Sequence, residues 1–252
     1  PIEFGNIGID EITSEAEHLL NNIAEASESK GLFTVKTADR WIEQAKTRPI
    51  PKMLFGEFWF EGELCILFAD SNVGKSILAV QIGDSISKGS HIAGFKLEAP
   101  RQSIIYFDFE LSDKQFETRY SKEFKEHYSF SSNFFRAEIN ADDSTLHGFS
   151  CFEDYLNDSL EKAVVEKGAK VLIIDNLTYL RTENEKAKDA LPLMKNLKGL
   201  KNKYGLSIMA LAHTPKRDFS KPITGNDLQG SKMLMNFCDS AFSIGQSHKD
   251  KS

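Results

Sequence analysis

The chain has 252 residues, of which 40% are hydrophobic and 27% charged, and its formal net charge is -6. This length supports one substantial α/β core with a small appendage, and the negative charge argues against a basic surface that would hold nucleic acid non-specifically. A local loop, or the central channel of a ring, stays open as a nucleic-acid site. No run of about 18 apolar residues occurs, which excludes a membrane-spanning helix.

The chain ends and the cysteines indicate the compartment. The N-terminus has neither the basic nor the apolar region of a signal peptide. It also lacks an initiating Met, so we expect a processed or engineered piece. The polar tail after Ile244 stops where a doubly wound α/β core often continues with another strand or hairpin, so we also expect that the chain ends early. Three widely spaced cysteines, Cys65, Cys151 and Cys238, favour buried, reduced thiols in a cytoplasmic protein over a disulfide framework or a metal site.

The first fifty residues differ in pattern from the rest. Residues 12–29 are acidic, with apolar residues at helical spacing, and a second helix is predicted from Thr37 to Lys46, with Thr37 or Asp39 as its N-cap. The prolines that follow mark a linker. We therefore divide the chain into a helical N-terminal arm with its linker, residues 1–50, and a larger domain, residues 51–252. The arm packs either on its own core or on a neighbouring subunit.

From residue 54 onward, short apolar runs alternate with amphipathic stretches. This pattern predicts an α/β fold with a mainly parallel twisted sheet and helices on both faces. Strands are expected at 64–68, 103–109, 171–174, 207–212 and 239–244, and helices at 77–87, 113–127, 152–167 and 186–204. In the last helix, Leu193, Leu197 and Leu200 form the inner stripe, and the lysines, Lys201 among them, lie largely outside it.

Residues 69–76 read Ala-Asp-Ser-Asn-Val-Gly-Lys-Ser and join an apolar strand to a helix. In this context the pattern predicts a phosphate-binding P-loop, although Ala69 stands where a glycine is usual. Gly74 lets the backbone approach a phosphate, Lys75 reaches the β- and γ-phosphates, and the Ser76 hydroxyl ligates Mg²⁺. The predicted nucleotide-binding residues are Ala69, Asp70, Ser71, Asn72, Val73, Gly74, Lys75, Ser76 and Ile77.

Two further strands end in acidic residues. Asp175 directly follows the apolar run 171–174, and a buried parallel strand delivers such a residue to the edge where phosphates bind, so we expect it to hold Mg²⁺. Asp108 and Glu110 differ by two positions, which on a strand predicts that both face one side. A carboxylate there can polarise the water that attacks the γ-phosphate. The alternative is a solvated strand end that begins the next helix cap.

The strand at 207–212 leads into His213 and Thr214. A polar side chain at this edge can sense whether a γ-phosphate is present and pass the signal to the following loop. A structural role for this single histidine is an equally weighted alternative.

Four motifs now stand in order along the chain: the P-loop, Asp-Phe-Glu at 108–110, Leu-Ile-Ile-Asp-Asn at 172–176 and Ala-His-Thr-Pro-Lys at 212–216. In this order they resemble the RecA-like ATPases, and most closely the RepA-type hexameric helicases of plasmids and their relatives on mobile elements, the AAA_25 group. The resemblance covers residues 58–244. It implies a RecA-like ATPase domain, ATP as the nucleotide, and a homo-oligomeric ring, typically hexameric, or a filament with ATP at its interfaces.

The resemblance also implies roles for single residues. Lys75 and Ser76 take the phosphate and Mg²⁺, Glu110 becomes the catalytic glutamate, Asp175 the Mg²⁺ acid and His213 the γ-phosphate sensor. Residues 225–235 resemble a loop that contacts DNA or the neighbouring nucleotide, which makes Lys232 a candidate trans-acting cation. Lys216 and Arg217 are rival candidates, and solvated loop charges are the alternative for all three.

Three functions are compatible with these motifs. The first is an oligomeric ATPase of DNA replication, mobilisation or recombination, with a DNA helicase as one form of it and single-stranded DNA as partner. The second is a non-motor, nucleotide-gated regulatory or scaffolding ATPase, favoured by the acidic charge and the helical arm. A small-molecule P-loop kinase ranks last, because such enzymes usually carry an arginine-rich lid and the arginines here are scattered.

Overall fold

The computed structural model describes residues 33–140, 149–177, 190–215, 218, 221–228 and 231–245. The chain divides into two units, residues 1–50 and 51–252, and each is treated by itself. In the first unit, helix α1 (Ala38–Lys46) begins after Thr37, whose hydroxyl accepts a hydrogen bond from the Arg40 amide at 3.3 Å. The predicted helix and its cap at Thr37 are confirmed, whereas the helix expected at 12–29 lies outside the described residues.

The second unit is built on a six-stranded sheet flanked by helices. Its strands are β3 (Leu64–Ala69), β4 (Ile104–Asp108), β7 (Phe134–Ala137), β8 (Val171–Asp175), β9 (Ser207–His213) and β10 (Ser240–Ile244). The helices are α2 (Lys75–Lys88), α3 (Asp113–Arg119), α4 (Phe152–Lys167), α5 (Ala190–Tyr204) and α6 (Ser231–Phe237), with a 3₁₀ turn at Gly225–Asp227. Two small hairpins pair β1 (Met53–Phe55) with β2 (Trp59–Phe60) and β5 (Ser121–Lys122) with β6 (Glu126–His127).

The order of the sheet is β10-β3-β9-β8-β4-β7, and every neighbouring pair is parallel. The carboxyl ends of β3, β9, β8 and β4 therefore lie side by side at one edge. Ala69 pairs with His213 across β3 and β9, and Asp108 pairs with Asp175 across β4 and β8. The predicted α/β fold is confirmed, and its topology gathers the P-loop and the strand-end acids at this edge.

Helices cover both faces of the sheet because its central strands are buried on both sides. In β8, Leu172 and Ile174 pack in the cluster shared with α4 and α5, and Ile173 packs in the cluster shared with α2. Gly83 lets α2 lie close to the sheet, since a Cβ there would stand 2.9 Å from Cδ1 of Ile104 and 3.0 Å from Cδ1 of Ile173. The P-loop helix is thus fixed directly on the strands.

The helix predicted at 113–127 is wrong beyond Arg119. The apolar spacing of Phe116, Tyr120 and Phe124 continues a helical pattern, but Phe124 is exposed and lies in the turn of the β5–β6 hairpin with a φ of 58°. Because its side chain reaches no core, burial does not support a further helical turn. The strand β7 had no predicted counterpart, since it has four residues and all are half-buried.

Within the region 225–235, the described residues form a 3₁₀ turn and the start of helix α6 rather than a loop. Asp227 and Thr224 form a reciprocal capping box, and Leu234 of α6 is 1% exposed in the core beside α5. Burial of this leucine stabilises a helix of seven residues, which is too short to be stable by local propensity alone.

In α5, Leu193, Leu197 and Leu200 are buried, which confirms the predicted inner stripe. Lys201 is also buried, which corrects its expected outward position. Its ammonium lies 2.6 Å from Oδ2 of Asp239, just before β10. The part of the predicted helix at 186–189 lies outside the described residues.

All three cysteines are free. Cys65 is buried as predicted, whereas Cys238 is half-buried and Cys151 is exposed, because Cys151 stands at the N-cap of α4, outside the core. Among the described residues, no helix is long and apolar enough to cross a membrane.

The Lys201–Asp239 pair generates a test of the fold. Burial acts to raise the pKa of Asp239, but the Leu64 amide and the Lys201 ammonium outweigh it, so its pKa lies below the usual value. We expect Lys201→Met to lower the free energy of unfolding by about 1–3 kcal/mol at pH 7, measured by urea denaturation. Lys195→Met, at an exposed position of the same helix, should change it by less than about 0.5 kcal/mol.

The sign of the pH dependence follows from the depressed pKa. The contribution of Asp239 is present above about pH 4, the pKa of an unfolded aspartate, and is lost as the pH falls through the lower folded value. Equal losses of stability at positions 201 and 195 would contradict a specific role for this ion pair.

Candidate active site

The P-loop begins where the fully buried strand β3 reaches the edge of the sheet. Asn72 and Gly74 have φ values of 64° and 89°, and this left-handed backbone turns the chain into α2. Among the described residues no side chain caps the start of α2, and its first turn carries no acid. The first-turn amides therefore keep their hydrogen atoms for an anion, at the positive end of the helix dipole.

The start of the P-loop is tied to the end of β9. The carboxylate of Asp70 is buried and accepts a hydrogen bond from the Thr214 hydroxyl. The Thr214 amide donates to the Ala69 carbonyl at 3.2 Å. The remaining residues of the loop are accessible to a ligand. Ser71 and Asn72 are exposed, Val73, Gly74 and Ser76 are half-buried, and Ile77 is 53% exposed on the first turn of α2.

Lys75 is the buried cation of the site. The residue is 6% exposed, and its Nζ lies 3.1 Å from Nδ1 of His213. Burial lowers the pKa of Lys75, and the negative charges of Asp175 and Glu110 oppose that shift. Since both carboxylates act on this ammonium, the structure brings together the three residues from separate motifs.

Asn176 and His213 connect Lys75 to Glu110. The Asn176 amide donates to Oε1 of Glu110, and its Nδ2 lies 3.1 Å from Nε2 of His213. The same Nε2 stands 3.6 Å from Oε1 of Glu110. The tips of α2, β9 and β8 are thereby joined through polar contacts.

Asp175 provides a buried carboxylate beside the P-loop. Its Oδ2 accepts a hydrogen bond from the Tyr106 hydroxyl at 2.6 Å, and Oδ1 is buried without a partner of ordinary geometry among the described residues. Burial raises the pKa of Asp175, whereas hydrogen bonding from Ser76 and Tyr106 acts to lower it. A free carboxylate oxygen next to a serine hydroxyl is an oxygen donor set that suits Mg²⁺. Ser76 and Asp175 thus fit the metal role predicted for them.

The prediction that Asp108 and Glu110 share one face is wrong. Strand β4 ends at Asp108, so the two-residue alternation no longer applies at Glu110. Asp108 is buried and paired with Arg136, whereas the side chain of Glu110 is 43% exposed. The backbone after β4 nevertheless lies beside the end of β8, because the Phe109 amide donates to the Asp175 carbonyl at 3.0 Å.

The candidate trans-acting cations stay predictions. Lys232 lies in α6, and its side chain is outside the described set. Lys216 and Arg217 are also outside the described residues. None of these three can be related to the site by geometry.

Three residues of the site were missed by sequence reasoning. Asn176 directly follows Asp175, so its place in the motif was a usable signal. Tyr106 precedes Asp108 by two on β4, but nothing local indicates that its hydroxyl reaches Asp175. Arg136 lies on the strand β7, and its contact with β4 is purely tertiary.

Comparisons with known proteins agree with this architecture. A family model described as an AAA domain, AAA_25, matches residues 29–218. Among solved structures, a KaiC-like protein from the hyperthermophilic archaeon Pyrococcus horikoshii OT3 is similar, with a TM-score of 0.51 and 15% sequence identity. The similarity covers 79% of this chain and 78% of that one, and at this identity it concerns the fold alone. No curated protein matches the sequence.

The buried ammonium of Lys75 allows a test of how much the site costs in folding stability. The folded protein binds the Lys75 proton less tightly than the unfolded chain does. Burial of this charge therefore reduces the free energy of unfolding at neutral pH, and this reduction is the cost of the site. It disappears as the pH rises through the lowered folded pKa toward about 10.4. We expect Lys75→Met to raise the free energy of unfolding by about 0.5–2 kcal/mol in the absence of nucleotide, measured by urea denaturation at pH 7.

Lys88, on the same helix, is the matched control, because its substitution should change the free energy of unfolding in the opposite direction. Burial acts to lower its pKa, but hydrogen bonds to Asp84 and Tyr128 outweigh that effect and raise it. Lys88→Met should therefore lower stability under the same conditions. Destabilisation by both substitutions would contradict the inferred strain at Lys75.

Proposed function

The chain belongs to the AAA_25 family of AAA domains and has a RecA-like P-loop ATPase fold, and on this premise we propose that it binds ATP with Mg²⁺ and hydrolyses the nucleotide. The site lies at the edge where β3, β9, β8 and β4 end. The observation that carries the proposal is the convergence of Lys75, Glu110 and Asp175 at this edge: Lys75 contacts His213, His213 stands 3.6 Å from Glu110, and Asn176, which directly follows Asp175, also contacts Glu110.

ATP binding is assigned to the P-loop. The amides of the loop and of the first turn of α2 take the phosphate oxygens, and Lys75 leaves Nδ1 of His213 for the β- and γ-phosphates. Ser76 and Asp175 would hold Mg²⁺, which would supply positive charge against the phosphate oxygens. The buried, unpaired Oδ1 of Asp175 supports this assignment.

Hydrolysis is assigned to Glu110. Its carboxylate takes a proton from a water molecule as the water oxygen forms a bond to the terminal phosphorus. The bond from that phosphorus to the bridging oxygen breaks, and ADP leaves with the electron pair. Asn176 and His213 orient the carboxylate through the contacts already seen at Oε1. When Lys75 moves to the phosphate, His213 loses this partner, so the tip of β9 senses the nucleotide.

The proposal extends to assembly and partners. We assign the chain to a homo-oligomer, a hexameric ring or a filament, that acts with single-stranded DNA in replication, mobilisation or recombination. The order of the four motifs supports this role. In the arm, Trp41 and Ile42 are 42% and 55% exposed, which supports a contact with another subunit.

A non-motor, nucleotide-gated ATPase is the second candidate. The net charge of -6 favours it, because non-specific binding of DNA is driven by cationic side chains near the phosphates. In this case ATP changes the size of the assembly, and turnover is slow and independent of DNA.

The roles of Glu110 and Lys75 are separated by two substitutions. Glu110→Gln should keep ATP affinity and lower the rate of hydrolysis at least ~100-fold, because the amide cannot accept the proton. Lys75→Ala should instead weaken ATP binding itself, since it removes the ammonium that meets the phosphates. Affinity is measured with a fluorescent ATP analogue and turnover by phosphate release. Hydrolysis by Glu110→Gln at the wild-type rate would remove Glu110 from the mechanism.

An ATPase assay with and without DNA distinguishes the two candidate functions. For the first function, single-stranded DNA should raise ATP turnover at low salt, and the effect should fall steeply as salt is added. The measurement is the ATPase rate with and without DNA, alongside molecular mass with ATP, with ADP and without nucleotide. Turnover unchanged by DNA, with a mass that depends on ATP, would favour the non-motor function. Release of ADP only with an added small-molecule acceptor would indicate a kinase.

A further inference from the structure

A buried ion pair lies next to Glu110 and takes no part in the proposed chemistry. The side chain of Asp108, the last residue of β4, is 1% exposed, and that of Arg136, on β7, is 17% exposed. Nε of Arg136 lies 2.9 Å from Oδ2 of Asp108. Burial of two charges is costly unless they are paired and hydrogen-bonded, so such a pair requires good geometry.

Both members of the pair also hold the backbone that carries Glu110. Oδ1 of Asp108 accepts hydrogen bonds from the amides of Glu110 at 3.2 Å and Leu111 at 3.0 Å. Nη2 of Arg136 donates to the Leu111 carbonyl. The two side chains therefore bind the amides and a carbonyl of one short turn at residues 110 and 111, and we call them the Asp108–Arg136 clamp.

The clamp is itself fixed by the neighbouring elements. The guanidinium of Arg136 lies 4.9 Å from the centre of the Phe116 ring on α3, a cation–π contact. On the far side of the turn, Ser112 and Gln115 form a reciprocal capping box at the start of α3. The turn is thus held at both ends, while the side chain of Glu110 between them stays 43% exposed.

We propose that Asp108 and Arg136 are positioning residues that set where the turn places the Glu110 carboxylate beside the tip of β8. This inference rests on the proposed function, in which Glu110 accepts the proton of the attacking water. A displacement of about 1 Å in a catalytic group can cost ~100-fold in rate, so the position of this backbone matters. The clamp acts through the main chain of residues 110 and 111 and does not touch the nucleotide.

The test is a double-mutant cycle in the full chain, with Arg136→Lys and Glu110→Gln. Lysine keeps a cation near Asp108, but it lacks the planar group that joins the carboxylate to the Leu111 carbonyl. We expect Arg136→Lys to lower kcat at least ~10-fold and to change the affinity for a fluorescent ATP analogue less than ~2-fold. In the Glu110→Gln background, Arg136→Lys should change the rate less than ~2-fold, because the group that it positions is gone.

Two further variants make the cycle specific. Glu138→Gln removes another partner of Arg136, an exposed carboxylate 3.1 Å from Nη1, and should leave kcat at the wild-type level. Asp108→Asn keeps one oxygen for the two amides and loses the ion pair, and it should reproduce the pattern of Arg136→Lys. Circular dichroism and ATP affinity verify that each variant is folded.

The outcomes separate this inference from the function on which it rests. Wild-type kcat in both clamp variants, or an equal loss with and without the Glu110 carboxylate, would overturn the positioning role while leaving the ATPase intact. If neither clamp variant folds, the ion pair acts in folding stability, and the positioning role is overturned as well. Hydrolysis by Glu110→Gln at the wild-type rate, or no hydrolysis by the wild type, would refute the proposed function and the inference together.

Discussion

The parallel pairing of β3, β9, β8 and β4 is the constraint on which the rest of the structure depends. Parallel strands end at the same edge, and the register aligns Ala69 with His213 and Asp108 with Asp175. Residues from four distant parts of the chain therefore meet without any local sequence signal that joins them. The hydrophobic residues that fill both faces of the sheet hold this edge in place, because a one-residue slip of a strand would reverse the direction of every side chain.

The polar groups at this edge are arranged at a cost to stability. Burial lowers the pKa of Lys75 and raises that of Asp175, so each is destabilised in the charged form that nucleotide and metal binding need. The contact of Lys75 with His213 and the contact of Asp175 with Tyr106 offset part of this destabilisation. Under the proposed function, an anionic phosphate and a divalent cation would complete the charge balance that the protein leaves open, which is a physical reason for the site to bind both together.

Two ion pairs of the second unit, each with one buried member, fasten neighbouring elements together. Lys201 and Asp239 tie α5 to the start of β10, and Asp239 also accepts the Leu64 amide at the start of β3. Asp108 and Arg136 tie β4 to β7 and hold the turn after β4. In both cases the carboxylate accepts backbone amides as well as a cation. Such a carboxylate fixes the path of the main chain more firmly than a surface ion pair, because it binds a backbone amide and a cation at once: Asp239 uses Oδ2 for both, and Asp108 uses one oxygen for each.

Sequence periodicity and motif spacing were sufficient to predict the α/β class, the P-loop and the central strands, because these depend on local apolar runs and on glycine in a turn. The helix at 113–127 failed where Phe124 has no core to reach, and α6 was missed because burial of Leu234 is a tertiary effect. The motif order also indicated which strand ends belong to one site. Only the tertiary structure decided that the Asp108 carboxylate pairs with Arg136 and accepts the Glu110 amide, and that the Asn176 amide contacts both Glu110 and His213. The physical reason is that hydrogen bonds between side chains on different strands depend on sheet order and register, which a single sequence does not encode locally.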